Sequence, residues 1–412
     1  MNNSRRDNRG RTLHKGEVQK SSDLTYIYTY TDPFGKRRFV YAPDLVKLRE
    51  KERQLQRDQL DGLDFYAAGR SSLNDAFDRY MTTKYNLTER TKLGYESTYR
   101  RYVQDTFGKK KLIQIRYTDI LQFYNYLLTE TNISITTLEN VHSVLHPTFE
   151  MAVRDDIIRK NPSDGVMAEI KKRRGGRQTT RHALTAEQQQ ILMQYVANHP
   201  VFYHWWPMLA ILLGTGMRIG ECLGLRWCDL DFKERSISVN HALVYYQGEN
   251  DDTATFKVSM PKTEKGIRTI PMLDMVEEAF EMIKEEQKET GKNKQVIDGM
   301  KGFVFMNRFG QVPNPASVNR AIKRIVINYN NDEVLLAKKE KRDPVLLPEI
   351  SCHIFRHTFA TRLCETETNL KVIQSIMGHK NIETTMDIYA DATDRKKKES
   401  MTALSEKLEN LF

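Results

Sequence analysis

The sequence is poor in the features that mark secreted, zinc-binding and membrane-spanning proteins. Only four of its 412 residues are cysteines (Cys222, Cys228, Cys352 and Cys364), and no two have C-x-x-C spacing. This argues against a zinc site and predicts reduced thiols. The longest apolar run, residues 207–213, is far shorter than the roughly 18 residues of a membrane span. Residues 1–7 lack the apolar segment of a signal peptide. We therefore expect a cytoplasmic protein with no membrane partner.

Acidic residues are fewer than basic ones: the sequence has 54 Asp and Glu and 64 Lys and Arg, which gives a net charge of +10. A polyanionic partner is predicted, with nucleic acid first and a membrane surface second. Residues 1–60 alone carry 14 basic and 8 acidic residues. We expect their basic arm to lie on a DNA backbone, although a solvated tail has the same composition. The arm residues predicted to contact DNA are Arg5, Arg6, Arg9 and Arg11.

The length predicts two or three domains. Residues 1–62 are predicted to form a small three-stranded sheet with one helix, capped by Asp44 and running over 44–60. Tyr26, Tyr28 and Tyr30 alternate along one strand, and we expect them to pack within the sheet rather than to stack on bases. Residues 71–170 are predicted to be a bundle of about four amphipathic helices, with starts at Ser72, Thr88, Asp119 and Thr136.

The fourth helix of the bundle and the segment that follows it contain three further sequence signals. Pro147 lies inside the fourth helix and predicts a kink, or a lost hydrogen bond near Ser143. Asn161-Pro162 is predicted to end the helices. Residues 171–181 read as a flexible linker along DNA, with a nuclear-localisation signal as the alternative. The linker residues predicted to contact DNA are Lys172, Arg173, Arg174 and Arg177.

Residues 182–412 are predicted to be a mostly helical third domain with a small antiparallel sheet, so that the fold class is α+β, mainly α and multidomain. A capping box starts it at Thr185, and residues 205–213 are core. Strands are predicted at 236–243, 255–260, 267–272 and 303–305, the middle two as a hairpin that presents Lys262. Residues 274–289 read as a helix and 329–347 as a surface loop or insertion. The tail 396–412 reads as a helix that docks on a neighbouring protomer or packs on its own domain.

Residues 351–391 concentrate side chains suited to phosphodiester chemistry. Breaking a phosphodiester without a metal requires side chains that neutralise the non-bridging oxygens, and arginine does this in bidentate geometry. Arg218 and Arg356 are the predicted clamp and Tyr389 is the predicted nucleophile. Glu221 lies three residues after Arg218, on the same helix face, and is expected to orient Arg218 or His353. We expect this chemistry to need no cofactor.

These residues lie in motifs that resemble the tyrosine recombinase (phage integrase) family. The motifs are Thr215-Gly-Met-Arg218-Ile-Gly-Glu221, Pro261-Lys262-Thr263 before Arg268-Thr-Ile-Pro271, His353-x-x-Arg356-His-Thr-Phe-Ala, Met377-Gly378-His379 and Tyr389, in the family's order. The N-terminal segment resembles the arm-binding domain of integrases from conjugative transposons of Gram-positive bacteria.

The resemblance implies roles for the remaining residues. Lys262 would be the general acid for the leaving 5′-oxygen, with Lys265 as its competitor. His353 would exchange a proton with Tyr389 or bond the phosphate, and His379 would donate to a non-bridging oxygen. The product would be a 3′-phosphotyrosyl link with a free 5′-hydroxyl.

The resemblance also implies partners and a place in the cell. A homotetramer would hold two double-stranded DNA sites through a Holliday junction in a bacterial, nucleoid-associated setting, helped by an excisionase and a host DNA-bending protein. Two other functions remain open at this point. A type IB topoisomerase would share the phosphotyrosine chemistry, and a non-catalytic DNA-binding regulator would need neither Tyr389 nor Lys262.

Overall fold

The computed structural model describes residues 5–31, 37–60, 71–174, 183–248, 253–261, 266–378 and, between 382 and 390, all but 384 and 387. The chain divides into two compact units, Met1–Arg177 and Gln178–Phe412, which are described separately. The predicted fold class is confirmed: helices predominate and the sheets are small and antiparallel. Within the described ranges, no helix is both long and apolar enough to cross a membrane.

The N-terminal part of the first unit is the predicted three-stranded sheet with a helix. Strands β1 (Glu17–Gln19), β2 (Tyr26–Thr31) and β3 (Arg37–Ala42) are antiparallel in that order, and helix α1 spans Leu45–Leu60. The Asp44 carboxylate accepts from the Val46 N–H at 2.7 Å, which confirms the predicted cap. Tyr26 is buried with Leu45 and Leu48, while the rings of Tyr28 and Tyr30 stack on each other. The tyrosines therefore pack within the module, as expected.

Five helices share one core in the rest of this unit. They are α2 (Leu73–Thr82), α3 (Glu89–Tyr99), α4 (Tyr117–Thr129), α5 (Ile135–Arg154) and α6 (Val166–Arg174). Helix α3 continues into a π-helical turn at Arg100–Gln104. Ser72 begins α2 with a full capping box, as predicted. Helix α5 is continuous through Pro147, which has no N–H for the Ser143 carbonyl; the kink stays a prediction.

Two boundaries in the bundle differ from the sequence interpretation. Helix α4 starts at Tyr117, so Asp119 is not its N-cap; instead the Asp119 carboxylate accepts from the Arg116 N–H at 2.9 Å. Asn161-Pro162 does not end the bundle, because Val166 and Ile170 of α6 are buried in the same core. The predicted linker was wrong over residues 171–174, which complete α6. There Lys171 pairs with Glu139 and Arg173 with Glu169.

The second unit surrounds one fully buried helix. Helix α8 (Trp206–Thr215) follows α7 (Ala186–Asn198), whose capping box at Thr185 is as predicted. Short helix α9 spans Ile219–Gly224. The later helices are α10 (Asp274–Thr290), α11 (Pro315–Glu340), α12 (Cys352–Thr366) and α13 (Leu370–Met377). Helix α8 packs against α10 and α12. The predicted core assignment for residues 205–213 holds for the fully buried residues 207–213.

The strands of the second unit correct three expectations. Strands β4 (Leu230–Asp231), β5 (Ser236–Val239) and β8 (Arg268–Pro271) form one sheet, and β6 (Ala242–Tyr246) and β7 (Thr255–Ser259) form another. Residues 236–243 are therefore two strands, because His241 turns inward to bond the Gly224 carbonyl at 2.8 Å. The predicted hairpin of 255–260 with 267–272 is wrong, since β7 pairs with β6 and β8 with β5. Phe303 makes only an isolated bridge with Arg226, not a strand.

The predicted surface loop at 329–347 is wrong over most of its length. Helix α11 runs to Glu340, and the chain then folds back along it. The Asn330 side chain bonds both backbone groups of Leu347, at 2.8 and 2.9 Å. Glu333 pairs with Arg342 at 2.5 Å and accepts from the Val345 N–H. The polar residues that predicted a loop instead form the hydrogen bonds and the ion pair that hold residues 342–347 against α11. The predicted helix at 396–412 lies outside the described residues.

Candidate active site

Arg218 stands at the N-terminus of α9, where the buried α8 ends. Gly216 closes α8 in the left-handed conformation, with φ of +60°, and the chain turns directly into Arg218. The Glu221 carboxylate accepts from the Arg218 backbone N–H and from its guanidinium Nη1, both at 2.9 Å. The predicted pairing of Glu221 with Arg218 is thus present. The Arg218 side chain remains 50% exposed, so it can also meet a ligand.

Glu221 is bound by a second arginine, Arg268 of β8. The guanidinium of Arg268 donates from Nη2 at 2.7 Å and from Nη1 at 3.2 Å to the two carboxylate oxygens. Burial by itself would raise the pKa of Glu221, but the hydrogen bonds and charge of Arg268 and the contacts of Arg218 outweigh it and lower the pKa to about 2. Glu221 is therefore a carboxylate at all physiological pH values, shared between two arginines.

Arg356 is the buried member of the predicted clamp. It lies on α12 and donates from Nη1 to the Gly216 carbonyl at 2.7 Å and from Nη2 to the Met377 carbonyl at 2.6 Å. Burial and the nearby charges of Arg218 and Arg268 lower its pKa to about 9. The group is still charged at neutral pH. Because cations surround it and only Glu221 opposes them, an anion such as a phosphate would be stabilised there.

Tyr389 lies on helical residues 388–390. It is half-buried against a small apolar cluster formed by α12 and α13, which includes Ala360, Cys364, Ile373 and Met377. Met377 links the two features, because its side chain lies in this cluster and its carbonyl holds Arg356. Arg356 is carried by α12 and Tyr389 packs against α12 and α13, so this pair of helices connects the predicted nucleophile to one arginine of the predicted clamp.

The remaining predicted residues fall into three groups. His353 is exposed on the first turn of α12, one turn before Arg356. Lys262, its competitor Lys265, and His379 lie outside the described residues, although Gly378 immediately precedes His379 and ends α13 with φ of +63°. His357, at the middle of the motif, is half-buried. Cys222 is fully buried, as a small apolar residue would be.

The residues predicted to contact DNA are mostly at the surface. Arg5, Arg6, Arg9, Lys172 and Arg173 are exposed. Arg11 instead holds the N-terminal module together: its Nε donates to Asp7 at 2.8 Å and its Nη2 to the Tyr26 hydroxyl at 2.9 Å. The Arg174 side chain and Arg177 lie outside the described residues.

Arg268 lies in one of the predicted motifs, but the sequence interpretation assigned it no role in the site. A signal was present, because Arg268 and Ile270 fall on the same face of an alternating strand, and Ile270 is fully apolar. An arginine on the inward face of a strand requires a buried anion or carbonyl partner.

Three arginines and one shared carboxylate, with a tyrosine packed against the two helices that carry and hold Arg356, indicate a class of enzyme. Arginines with fixed geometry can stabilise the charge that builds on a phosphate in the transition state, and a tyrosine hydroxyl can accept the phosphoryl group. Residues of these types are suited to the transfer of a phosphodiester to the protein's own tyrosine. In the described part of the chain, the one group of side chains spaced to bind a metal is elsewhere, at His14, Glu17 and Glu52.

Comparison with known proteins identifies the family. Residues 182–396 match the phage integrase family, residues 1–59 match the DNA binding domain of Tn916 integrase, and residues 72–128 match the N-terminal SAM-like domain of phage integrases. The chain therefore belongs to the phage integrase family of tyrosine recombinases, enzymes that cleave and rejoin DNA. It is 31% identical over 407 residues to the transposase of transposon Tn916 from Enterococcus faecalis, covering 95% of each chain.

Other relatives and a solved structure agree with this assignment. The transposase of transposon Tn1545 from Streptococcus pneumoniae is also 31% identical, with 95% of each chain covered. The ICEBs1 integrase of Bacillus subtilis is 25% identical over 76% of this chain and 75% of its own. The structure of the Tn1549 transposon integrase in complex with transposon right end DNA is similar at a TM-score of 0.69 and 30% identity. That match covers 81% of this chain and all of the other.

Proposed function

We propose that this tyrosine recombinase integrates and excises a conjugative transposon with Tyr389 as its nucleophile. The phenolic oxygen attacks the scissile phosphorus and forms a bond to it, and the bond from phosphorus to the 5′-oxygen breaks. The phenolic proton leaves, and Lys262 supplies a proton to the 5′-oxygen. The free 5′-hydroxyl of a second strand then reverses the step and releases the tyrosine. The ester bond is conserved at each step, so no ATP is required.

The observation that carries this proposal is the arginine cluster around Glu221. Three guanidinium groups against one carboxylate leave an excess of two positive charges, and Arg218 is half exposed to receive a ligand. Arg218 and Arg356 would neutralise the non-bridging oxygens in the transition state, with His379 as a further donor. His353, one turn before Arg356, would exchange a proton with Tyr389 or bond the phosphate. Glu221 acts through Arg218 and touches no substrate.

The names of the relatives indicate the DNA that is acted on. The Tn1549 integrase was solved with transposon right end DNA and with circular intermediate DNA. We propose transposon ends and their joined circular form as the substrates of this chain. Residues 1–62 would hold a separate arm site, residues 71–170 would bind the core site, residues 182–412 would carry the catalytic residues, and exposed Arg5, Arg6, Arg9 and Lys172 would lie on phosphates.

The assembly is proposed from the family's reaction. Joining two duplexes by single-strand exchanges requires four active sites, so four protomers on two DNA sites are expected. The lambda integrase tetramer bound to a Holliday junction shares the fold, at a TM-score of 0.51. An excisionase and a host DNA-bending protein would set the direction of the reaction on the bacterial nucleoid.

A nicked suicide substrate tests the nucleophile. In this substrate the released strand is too short to rejoin, so the covalent intermediate accumulates. We expect the native chain to form a covalent protein–DNA adduct and Tyr389→Phe to form none, because the phenyl ring has no oxygen to bond phosphorus. Tyr329→Phe is a matched control, since the Tyr329 hydroxyl bonds the Val345 carbonyl outside the cluster. An adduct in Tyr389→Phe would refute the assignment. Strong binding with no adduct in either protein would indicate a regulator.

A type IB topoisomerase is the second candidate, and it predicts a different product. Such an enzyme relaxes supercoiled DNA alone and has no use for a second DNA-binding module. The match of residues 1–59 to the DNA binding domain of Tn916 integrase favours the recombinase. Recombinant products from two marked substrates would support recombination, and relaxation without any recombinant product would support the topoisomerase.

A further inference from the structure

Arg268 is a buried charge that the proposed reaction does not use. Its side chain is 3% exposed on the inward face of β8. A guanidinium at this depth is stabilised only where its donors are fully paired. The structure shows those partners, and they belong to two different parts of the site.

One side of the Arg268 guanidinium is bound to Glu221 and the other to the end of α13. Nη1 and Nη2 donate to the two oxygens of Glu221, while Nε donates to the Ile376 carbonyl at 2.9 Å. The carbonyl groups at a helix C-terminus have no partner within the helix and carry its negative end. They are therefore suitable acceptors for a buried cation.

Arg356 is bound to the next carbonyl of the same helix end. Its Nη2 donates to Met377, the residue after Ile376, and its Nη1 to Gly216. The contacts consequently close a ring. Arg218 is held by Glu221, Glu221 by Arg268, and Arg268 and Arg356 by consecutive carbonyls of α13. Gly216, two residues before Arg218, completes the ring through Arg356.

The turn at Gly378, which ends α13, packs against the Arg268 side chain. Gly378 has φ of +63°, and a Cβ placed on it would lie 3.0 Å from Nη1 of Arg268. A larger residue at 378 would therefore push against Arg268 or move the end of α13. Arg268 thus supports both the start of α9 and the turn after α13.

We propose that Arg268 is a positioning residue for recombination: it joins Glu221 to the end of α13 and thereby sets the spacing between Arg218 and Arg356. This inference rests on the proposed function of these two arginines as the phosphate clamp. Arg268 itself touches no substrate. Because a clamp must match the transition state closely, an error of position lowers the rate of cleavage more than the affinity for DNA.

The test compares three variants of the full-length chain on the suicide substrate, under single-turnover conditions with saturating protein. We expect Arg268→Met to reduce the cleavage rate on the order of 10-fold to 100-fold, as losses of supporting contacts do, with the DNA dissociation constant changed less than about 3-fold. Arg268→Lys should be intermediate, because a lysine keeps the charge but cannot bridge Glu221 and Ile376 in fork geometry. Arg226→Met is the matched control. It removes a bidentate pair with Asp229 in the same unit, away from the clamp, and should cleave at the native rate.

Thermal melting shows whether each variant is folded. It therefore distinguishes slow cleavage caused by unfolding from slow cleavage caused by misplaced clamp arginines. If Arg268→Met does not fold, Arg268→Lys carries the test, and native cleavage by that variant would overturn the proposal. Native cleavage by folded Arg268→Met would overturn it as well. Equal losses in affinity and rate would also overturn it, since they would indicate a general structural role. Failure of the native chain to form any adduct would instead refute the proposed function.

A sulfur substrate distinguishes the clamp from the general acid. When sulfur replaces the bridging 5′-oxygen, the leaving group needs no proton. We expect Arg268→Met to remain slow on this substrate relative to the native chain. Recovery to the native rate would show that Arg268 acts through proton donation and would overturn the positioning role.

Discussion

Replacing Glu221 with glutamine should reveal how strongly the arginine cluster depends on its one carboxylate. In the native protein, Glu221 receives four hydrogen bonds, two from Arg218 and two from Arg268. A glutamine amide keeps a single acceptor oxygen and directs an NH2 group toward guanidinium donors. Buried Arg268 would then lose its counter-charge beside two other arginines.

The size of the effect follows from the pKa of the carboxylate. The folded protein lowers the pKa of Glu221 from 4.5 to about 2. At 1.36 kcal/mol per unit, this corresponds to about 3 kcal/mol of folding free energy at pH 7. Breaking a buried ion pair by removing one partner costs a similar amount. Because the folded pKa is lowered, this stability is complete above the unfolded pKa and is lost as the pH falls toward 2. We expect about 1 kcal/mol of it to be lost between pH 7 and pH 4.

Urea unfolding followed by tryptophan fluorescence measures this directly. All three tryptophans (Trp205, Trp206 and Trp227) lie in the second unit and report on its unfolding. The native chain, Glu221→Gln and the control Glu278→Gln, an exposed residue of α10, would be compared at pH 7 and pH 4. A difference between native and Glu221→Gln below about 1 kcal/mol at pH 7 would refute the reasoning. So would a difference that does not decrease at pH 4.

Two further predictions concern the turn at Gly216 and the N-terminal module. Gly216→Ala should destabilise the second unit by at least about 1–2 kcal/mol in the same urea assay, because φ is +60° and the new Cβ would lie 2.3 Å from the Phe359 ring; native stability would contradict this. Deletion of residues 1–60 should reduce recombination of full-length substrates and leave cleavage of a short core site nearly unchanged, as measured by adduct formation. Equal loss of both activities would contradict a separate arm site.

Local sequence signals predicted most elements for which a local cause decides the structure, although the cap assigned to Asp119 was wrong because Asp119 is the third residue of α4. The capping residues Ser72 and Thr185 begin their helices as predicted, because an N-cap is satisfied by a backbone group only three residues away. The apolar stretch of α8 is buried because its composition leaves no polar face to expose. Strands β2 and β3 follow from alternation and a turn signal, whereas β1 lies in the segment interpreted as a basic arm.

The other errors arose where distant residues decide the structure. Residues 329–340 are polar enough for a loop, but Asn330 and Glu333 find their partners at 342–347, so the helix continues. Strands β7 and β8 follow each other closely in sequence, yet each pairs with an earlier strand. Pairing partners depend on the packing of the whole unit, which no local pattern contains.

The sequence by itself predicted the chemistry that we propose for this protein: a tyrosine nucleophile, two clamp arginines and a basic N-terminal module, each recognisable from a local motif. Only the tertiary structure decided how the clamp is held. Arg268 is 47 positions from Glu221 and 108 from Ile376 in the sequence. The importance of its inward-facing side chain can be recognised only in the fold, where β8 brings Arg268 into contact with both α9 and α13. Motifs specify which groups are present, whereas the spacing of buried charges depends on contacts between segments far apart in the chain.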